Sequence, residues 1–264
     1  MTNYTFRKTE AAELANLTKD YLSGLATPLD GMWESFSGMA DQYAIEGAGK
    51  VVGYCLINAD QQMLQFFMPS GGCRQAFSEA VTELGVTGAV VSTGDAQFLS
   101  LSMDNQKSVS VSALLYHDDG KDPIQPVSLP KGTDFRLVTM SELETALGFG
   151  VETIGAPLDW LTGYWTNHIG RKELFALWFE GEIISTGERR VSDSQKPYAD
   201  VGMVVVKDQR KKGIATSVLR QLNQMCRDEG LVAICSTEAS NIGAQKAISA
   251  AGLNSNHRIL DIKF

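Results

Sequence analysis

The chain has 264 residues and a mass of 28.7 kDa, with 44% hydrophobic residues and 7 prolines, a composition that fills one large core or two ordinary ones and excludes disorder. Apolar runs are short, as in Met203–Val206, against the roughly 20 of a membrane span. The opening MTNYTFRKTEAAEL has no apolar segment behind a basic patch, so no secretory leader and no membrane partner are expected, and a cytoplasmic location follows.

The net charge of −8 is uneven: residues 1–132 carry 8 Lys+Arg against 15 Asp+Glu, and residues 133–264 carry 15 against 16. No broad basic face is left for nucleic acid. The four cysteines form no CxxC pair, and the three histidines are scattered; reduced thiols and no metal site are expected.

In chain order, Phe6-Arg7 and Glu13-Leu14 open the first half, Tyr43–Gly53 reads as a hairpin, Met63–Met68 as a buried strand, Ala76–Leu84 as a helix and Ala89–Thr93 as a strand. His117–Asp134 gathers three prolines among turn formers, which is linker chemistry. It sets domains at residues 1–117 and 133–264 with a linker at 118–132. Beyond it, Ser141–Leu147 reads as helix, and Leu174–Phe179, Ile183–Arg190 and Ala199–Val206 as strands. Gly213–Glu229 is the clearest helix, with Ile214, Val218, Leu222 and Met225 at helical spacing and Gly230 at the capping position. Leu231–Cys235 is a short strand, Asn241–Ala251 a helix ending at Gly252, and Arg258–Phe264 a strand closing the second domain. Strands alternating with helices give an α/β layer architecture.

The halves read as copies. Phe6-Arg7 with Glu13-Leu14 matches Phe135-Arg136 with Glu142-Leu143, Tyr43–Gly53 matches Phe175–Ser185, and Ala89–Thr93 matches Ala233–Thr237, in the same order.

Chemistry concentrates in VGMVVVKDQRKKGIATSVLRQL (Val201–Leu222). An apolar strand, a charged turn and a glycine opening an amphipathic helix put unpaired N–H groups and about half a positive charge at one spot, which suits a phosphate or pyrophosphate. Arg210, Lys211 and Lys212 add charge there, and Gly213 and Ala215 let a ligand approach the backbone. No GxxxxGK[ST], GxGxxG after a strand, GxSxG or HExxH is present, which removes the P-loop, dinucleotide, hydrolase and metalloprotease readings.

Arg210-Lys211-Lys212-Gly213-Ile214-Ala215 fits the R/Q-x-x-G-x-G/A signature, and Asn241-Ile242-Gly243-Ala244 with Gly252-Leu253 fits the N-x-x-A and G-F pattern, so the chain resembles the GCN5-related N-acetyltransferase (GNAT) superfamily. The match covers residues 133–264 directly and reaches the first half through the repeat. The resemblance implies two tandem GNAT-like domains of the acyl-CoA N-acyltransferase fold, an α+β mixed sheet, with acetyl-CoA as co-substrate. Its pyrophosphate would lie on the amides of Lys211, Lys212, Gly213, Ile214, Ala215 and Thr216. Its pantetheine arm would pair with Met203, Val204 and Val205 like an added strand, and Asn241 would touch the same arm. The first half, LQFFMPSGGCRQAFSEAV, keeps one arginine and a shortened turn at Gly71-Gly72, and is read as a degenerate copy that binds no CoA.

The activity implied is transfer of an acetyl group to a primary amine of a small molecule or peptide by direct attack. The alternative is a non-catalytic acyl-CoA sensor or partner-binding protein. Family members place a Tyr seven residues after the Asn and a Glu five before it; here those positions hold Ile248 and Ser236. The local candidates for proton transfer are Asp200 first, then Glu238 and Glu188, with Tyr164 and Tyr198 as donors.

Overall fold

The structure, a computed structural model, describes residues 3–264. The chain divides into two compact units, one running to Leu115 and completed by Asn256–Phe264, the other Tyr116–Ser255.

In the first unit β1 (Tyr4–Lys8), β2 (Asp41–Gly47), β3 (Lys50–Ile57) and β4 (Gln62–Phe67) form an antiparallel run, and β5 (Gly88–Ser92) joins β4 in parallel. The order continues β5-β12-β6, with β6 at Ser108–His117 and β12 at Asn254–Lys263. Side chains alternate across the sheet. Tyr54 therefore enters a core with Leu14, Tyr21 and Trp33 under α1 (Ala11–Gly24) and α2 (Gly31–Met39). Its neighbour Cys55 enters a core with Phe66, Phe77 and Phe98 under α3 (Cys73–Glu83) and α4 (Ala96–Met103).

The strand read as closing the second domain belongs instead to this unit. Ile259–Lys263 pairs antiparallel with Ser92–Gly88. Its apolar pattern serves both faces of the first sheet: Ile259 enters one core, while Ile262, with Leu260 and Phe264 packed beside it, enters the other.

In the second unit β7 (Thr133–Leu137), β8 (Leu174–Phe179), β9 (Glu182–Val191) and β10 (Tyr198–Val205) run antiparallel, and β11 (Val232–Glu238) joins β10 in parallel. On one face α5 (Leu143–Ile154) and α6 (Leu158–Gly170) enclose Phe149, Leu161 and Trp165. Gly150 is required there, because a Cβ would sit 2.5 Å from the Trp165 ring. On the other face lies α7 (Ile214–Asp228), whose Ile214, Val218, Leu222 and Cys226 are buried at four-residue spacing. Gly230, at φ +70, ends it as expected, with Gly230 N–H donating to Arg227 O at 3.0 Å and Leu231 N–H to Cys226 O at 2.8 Å. α8 (Ile242–Ala250) follows β11. The fold is therefore the expected α/β mixed-sheet architecture, twice over.

Residues 118–132, read as a linker, are strapped along α7. Arg227 clamps both Asp118 carboxylate oxygens at 2.6 Å, Arg220 Nη1 donates to Pro126 O at 3.3 Å, and Ser217 Oγ to Ser128 O at 2.9 Å. Burial alone would raise the Asp118 pKa; hydrogen bonds from Arg227 and the Gly120 N–H outweigh it and hold the carboxyl below its ordinary value.

The first matched pair of the repeat has a structural cause. Arg7 Nη2 bonds Glu13 Oε1 at 2.6 Å, and Arg136 Nη2 bonds Glu142 Oε1 at 2.6 Å, each a two-pronged clamp from first strand to first helix. Both hairpins of the second pair also form, β2 with β3 and β8 with β9.

Candidate functional site

β10 and β11 are parallel neighbours from Tyr198↔Val232 to Asp200↔Ile234. Both strands then continue, to Val205 and Glu238, so they part, while β10 stays bonded to β9 on its other edge as far as Val205↔Ser185. A cavity of about 850 Å³ lies beside this stretch, walled by Met203, Val204 and Val205. Ile214, Ala215 and Thr216 of α7 and Asn241 of α8 line it as well.

The loop into α7 is shaped for backbone approach. Arg210 Nε donates to Val205 O at 3.0 Å and ties the loop to the strand end. Lys211 stands at φ +63 and Gly213 at φ +82. A Cβ on Gly213 would meet nothing within 4 Å, so the cradle is open. The first bond of the helix is Ser217 N–H to Gly213 O at 3.0 Å, which leaves the amides of Ile214, Ala215 and Thr216 without an intrahelical acceptor.

Of the eleven residues read as cofactor-binding, Met203, Val204, Val205, Arg210, Lys211, Gly213, Ile214, Ala215, Thr216 and Asn241 line this one cavity. Lys212 does not; its ammonium donates to Gln209 Oε1 at 3.0 Å on the exposed side of the loop. Asn241 Oδ1 also caps α8, accepting from Ala244 N–H at 3.1 Å. Sequence reasoning missed Lys246, a further cation on the wall, and Thr153 and Ile154 at the end of α5. Lys246 lies one turn beyond the Asn motif and carried a signal, since a basic residue there lines the same cavity. The α5 residues carried none without the predicted helix reaching them.

The first unit holds the same turn, closed. Gly72 precedes α3 at φ +94, as Gly213 precedes α7, but a Cβ there would lie 2.1 Å from the Tyr4 hydroxyl. Tyr4 occupies the space that the second unit leaves free.

The three candidate carboxylates separate into two environments. Glu238 is exposed as the last residue of β11 and accepts from Ser240 Oγ at 3.2 Å. Asp200 and Glu188 project from adjacent strands on the face that α6 covers, bridged by Arg190, which lies 2.7 Å from Asp200 Oδ1 and 3.5 Å from Glu188 Oε2. Tyr164 Oη donates to Glu188 Oε2 at 2.7 Å and accepts from Arg190 Nη1 at 2.7 Å, and Trp165 Nε1 donates to Glu188 Oε1 at 3.1 Å. Burial would lower the Arg190 pKa, but the charges of Asp200 and Glu188 outweigh it and hold it raised. Burial, then the Glu188 charge, raise the Tyr164 pKa, so the phenol stays a hydrogen-bond donor through the neutral range. Tyr198 lies at the start of β10, where its N–H donates to Gln195 O at 3.0 Å, and it has no part in the Glu188 cluster.

Two matches to known families follow this geometry. Residues 10–119 match an acetyltransferase (GNAT) domain and residues 140–252 the acetyltransferase (GNAT) family. The chain belongs to the GNAT acetyltransferases, as a tandem of two such domains. It is similar to the solved structure of a GNAT-family acetyltransferase from Colwellia psychrerythraea, at 35% identity over 98% of this chain and 99% of that one, with a TM-score of 0.92. The fold is shared with a GCN5-related N-acetyltransferase from Sphaerobacter thermophilus (14% identity, 98% and 95% covered, TM-score 0.68). It is shared also with a tandem GNAT protein from the clavulanic acid biosynthesis pathway (14%, 98% and 98%, TM-score 0.64). No curated protein matches the chain. Among the described residues no helix is long and apolar enough to cross a membrane, and no group of side chains is arranged to hold a metal ion.

Proposed function

We propose that the second unit binds an acyl-CoA, acetyl-CoA in the first instance, and passes its acyl group to a primary amine of a small molecule or peptide by direct attack. The observation that carries this reading is the open left-handed Gly213 at the head of α7 beside a strand that has parted from its neighbour. The donor set fits the group: first-turn amides with Arg210, Lys211 and Lys246 suit a pyrophosphate, and the backbone of Met203–Val205 suits the amides of a pantetheine arm. Bound there, acetyl-CoA supplies the thioester.

Glu188 is the proton acceptor in this reading. Asp200 is buried against Arg190 and serves to fix that guanidinium, while Glu238 is exposed and apart. An ammonium with an ordinary pKa of about 10.4 must lose a proton before it can attack. Glu188 takes that proton, held in place by Tyr164 and Trp165. The neutral nitrogen then forms the C–N bond as the C–S bond breaks, and its second proton ends on the thiol. Cys55 and Cys226 are not candidates for a covalent relay: burial pushes both thiols up to about 12, far from the thiolate a nucleophile needs.

The test is calorimetry with acetyl-CoA together with thiol release over a panel of amines. Binding with amine-dependent release is expected. Binding without release for every amine would favour the sensor reading, and no binding would remove both.

A further inference from the structure

The face of β10 that α6 covers contains a gap. Asp200, Gly202 and Val204 share that face by strand alternation; Val204 lines the cavity and Asp200 is paired with Arg190. Between them Gly202 has no side chain, and a Cβ there would meet nothing within 4 Å. Directly across the ladder from Gly202 stands Glu188. The open space is therefore bounded by the cavity on one side and by a carboxylate on the other. The Glu188 and Asp200 carboxylates stand on this face with the Arg190 guanidinium between them.

The outer wall of this cluster is apolar. The Trp160 ring lies flat on Tyr164, centroids 4.7 Å apart at 14°, and Tyr164 bonds Glu188. One Trp160 face is thus packed, yet the residue is 50% exposed. Ile154, which lines the cavity, is 44% exposed, and Val151 and Leu158 flank it with similar exposure. An indole left half in water on α6, with exposed aliphatic side chains at the end of α5 and the start of α6, marks apolar surface fit to be covered.

We propose that the acceptor is an amine with a flat apolar body, whose ammonium enters the gap over Gly202 against Glu188 and whose body lies on Trp160 and Ile154. This rests on the acyltransferase reading above. The Glu188 carboxylate selects a cation, the glycine leaves room for the nitrogen, and the half-exposed indole, stacked on the Tyr164 that bonds Glu188, supplies the ring for the apolar body. Compact arylalkyl amines fit this geometry, whereas long hydrophilic polyamines leave the indole uncovered.

The experiment compares phenethylamine and tryptamine with ethylamine and spermidine as acceptors in the full chain, by thiol release and by calorimetry of each amine on the CoA-loaded protein. The aryl amines are expected to have the lower KM. Trp160→Ala should raise their KM and Kd about tenfold with kcat little changed, and should leave ethylamine, too short to reach the indole, unaffected. Gly202→Val should abolish turnover of every amine while acetyl-CoA affinity stays within threefold. Turnover that favours spermidine, or aryl-amine KM values unmoved by Trp160→Ala, would overturn the acceptor class alone. A Trp160→Ala chain that changes from dimer to monomer in sedimentation with unchanged KM would show the face to be an interface between copies and would also overturn it. Absence of thiol release with all four amines would instead remove the acyltransferase reading on which it rests.

Discussion

Replacing Gly213 by Asp and by Asn separates backbone strain from charge at the head of α7. Both side chains must adopt φ near +82, at about 1–2 kcal/mol for an L-residue in that region, with Asn and Asp the most tolerant. Both are also better N-caps than glycine by a few tenths of a kcal/mol, so a net cost of about 1 kcal/mol is expected. For a chain of this size that is a Tm drop of roughly 2–4 °C, equal for the two variants. Nothing lies within 4 Å of the new Cβ, so no packing clash adds to it. Only Asp adds a charge. A unit charge about 4 Å from a phosphate oxygen is opposed by about 4 kcal/mol at an effective dielectric of 20; because the loop is exposed, roughly half of that survives solvent screening. About 2 kcal/mol is roughly thirtyfold in Kd. Calorimetry with acetyl-CoA should therefore find the Asp variant about thirtyfold weaker than the Asn variant at low salt, with the gap narrowing at high salt. Equal affinities for Asp and Asn would mean that no anion sits on this helix end.

Glu188→Gln should lower kcat by about a hundredfold or more with acetyl-CoA affinity unchanged; a rate within threefold of the parent across the pH range would exclude it as the base. Asp200→Asn removes the nearer of the two carboxylates on Arg190, with Glu188 remaining at 3.5 Å, and should cost about 1.5–3 kcal/mol of stability, read as a Tm drop; an unshifted melt would show that the pair is not structural. Calorimetry of the parent chain should give one acetyl-CoA per chain, because Tyr4 fills the Gly72 turn, and a stoichiometry of two would contradict the closed first cradle. Burial would raise the Glu173 pKa, but hydrogen bonds from His168, Arg171 and the Val191 N–H outweigh it and hold it below the ordinary value. Its contribution is thus full above the unfolded pKa of about 4.3 and is lost as pH falls through the lower folded value. Glu173→Gln should therefore flatten the stability profile below about pH 5, and an unchanged acid slope in urea melts would refute this.

What could be read before the fold was known was whatever local physics dictates. α7 was legible because Ile214, Val218, Leu222 and Met225 recur at helical spacing and Gly230 marks the end, although the structure buries Cys226 in place of Met225. The cradle was legible because a glycine between a strand and that helix has few other uses. α6 was not foreseen: LDWLTGYWTNHIG carries three aromatics and two glycines, a poor helix by propensity that is held by the packing of Leu161 and Trp165. The Tyr164, Glu188, Arg190 and Asp200 cluster was hidden for the same reason, since it exists only once α6 lies over β9 and β10. Position along a strand favours Asp200 in the sequence, where pairing with Arg189 or Arg190 is an open alternative; the ladder decides for Arg190, directly across from Asp200.

The placement of Asn256–Phe264 in the first unit bears on how this protein is made. The strand that fills the space between β5 and β6 is separated from both by more than a hundred residues of chain. On the ribosome, β5 waits with a bare edge while the whole of residues 116–255 is synthesised, so the usual order in which the leading domain finishes first is reversed here. A fragment cut within residues 118–132 inherits the same defect, an unpaired β5 edge on one piece and an orphaned apolar strand on the other, and such edges invite aggregation. Expression of the first half alone should need residues 256–264 restored to it through a short turn, and the second half should be cut before residue 256.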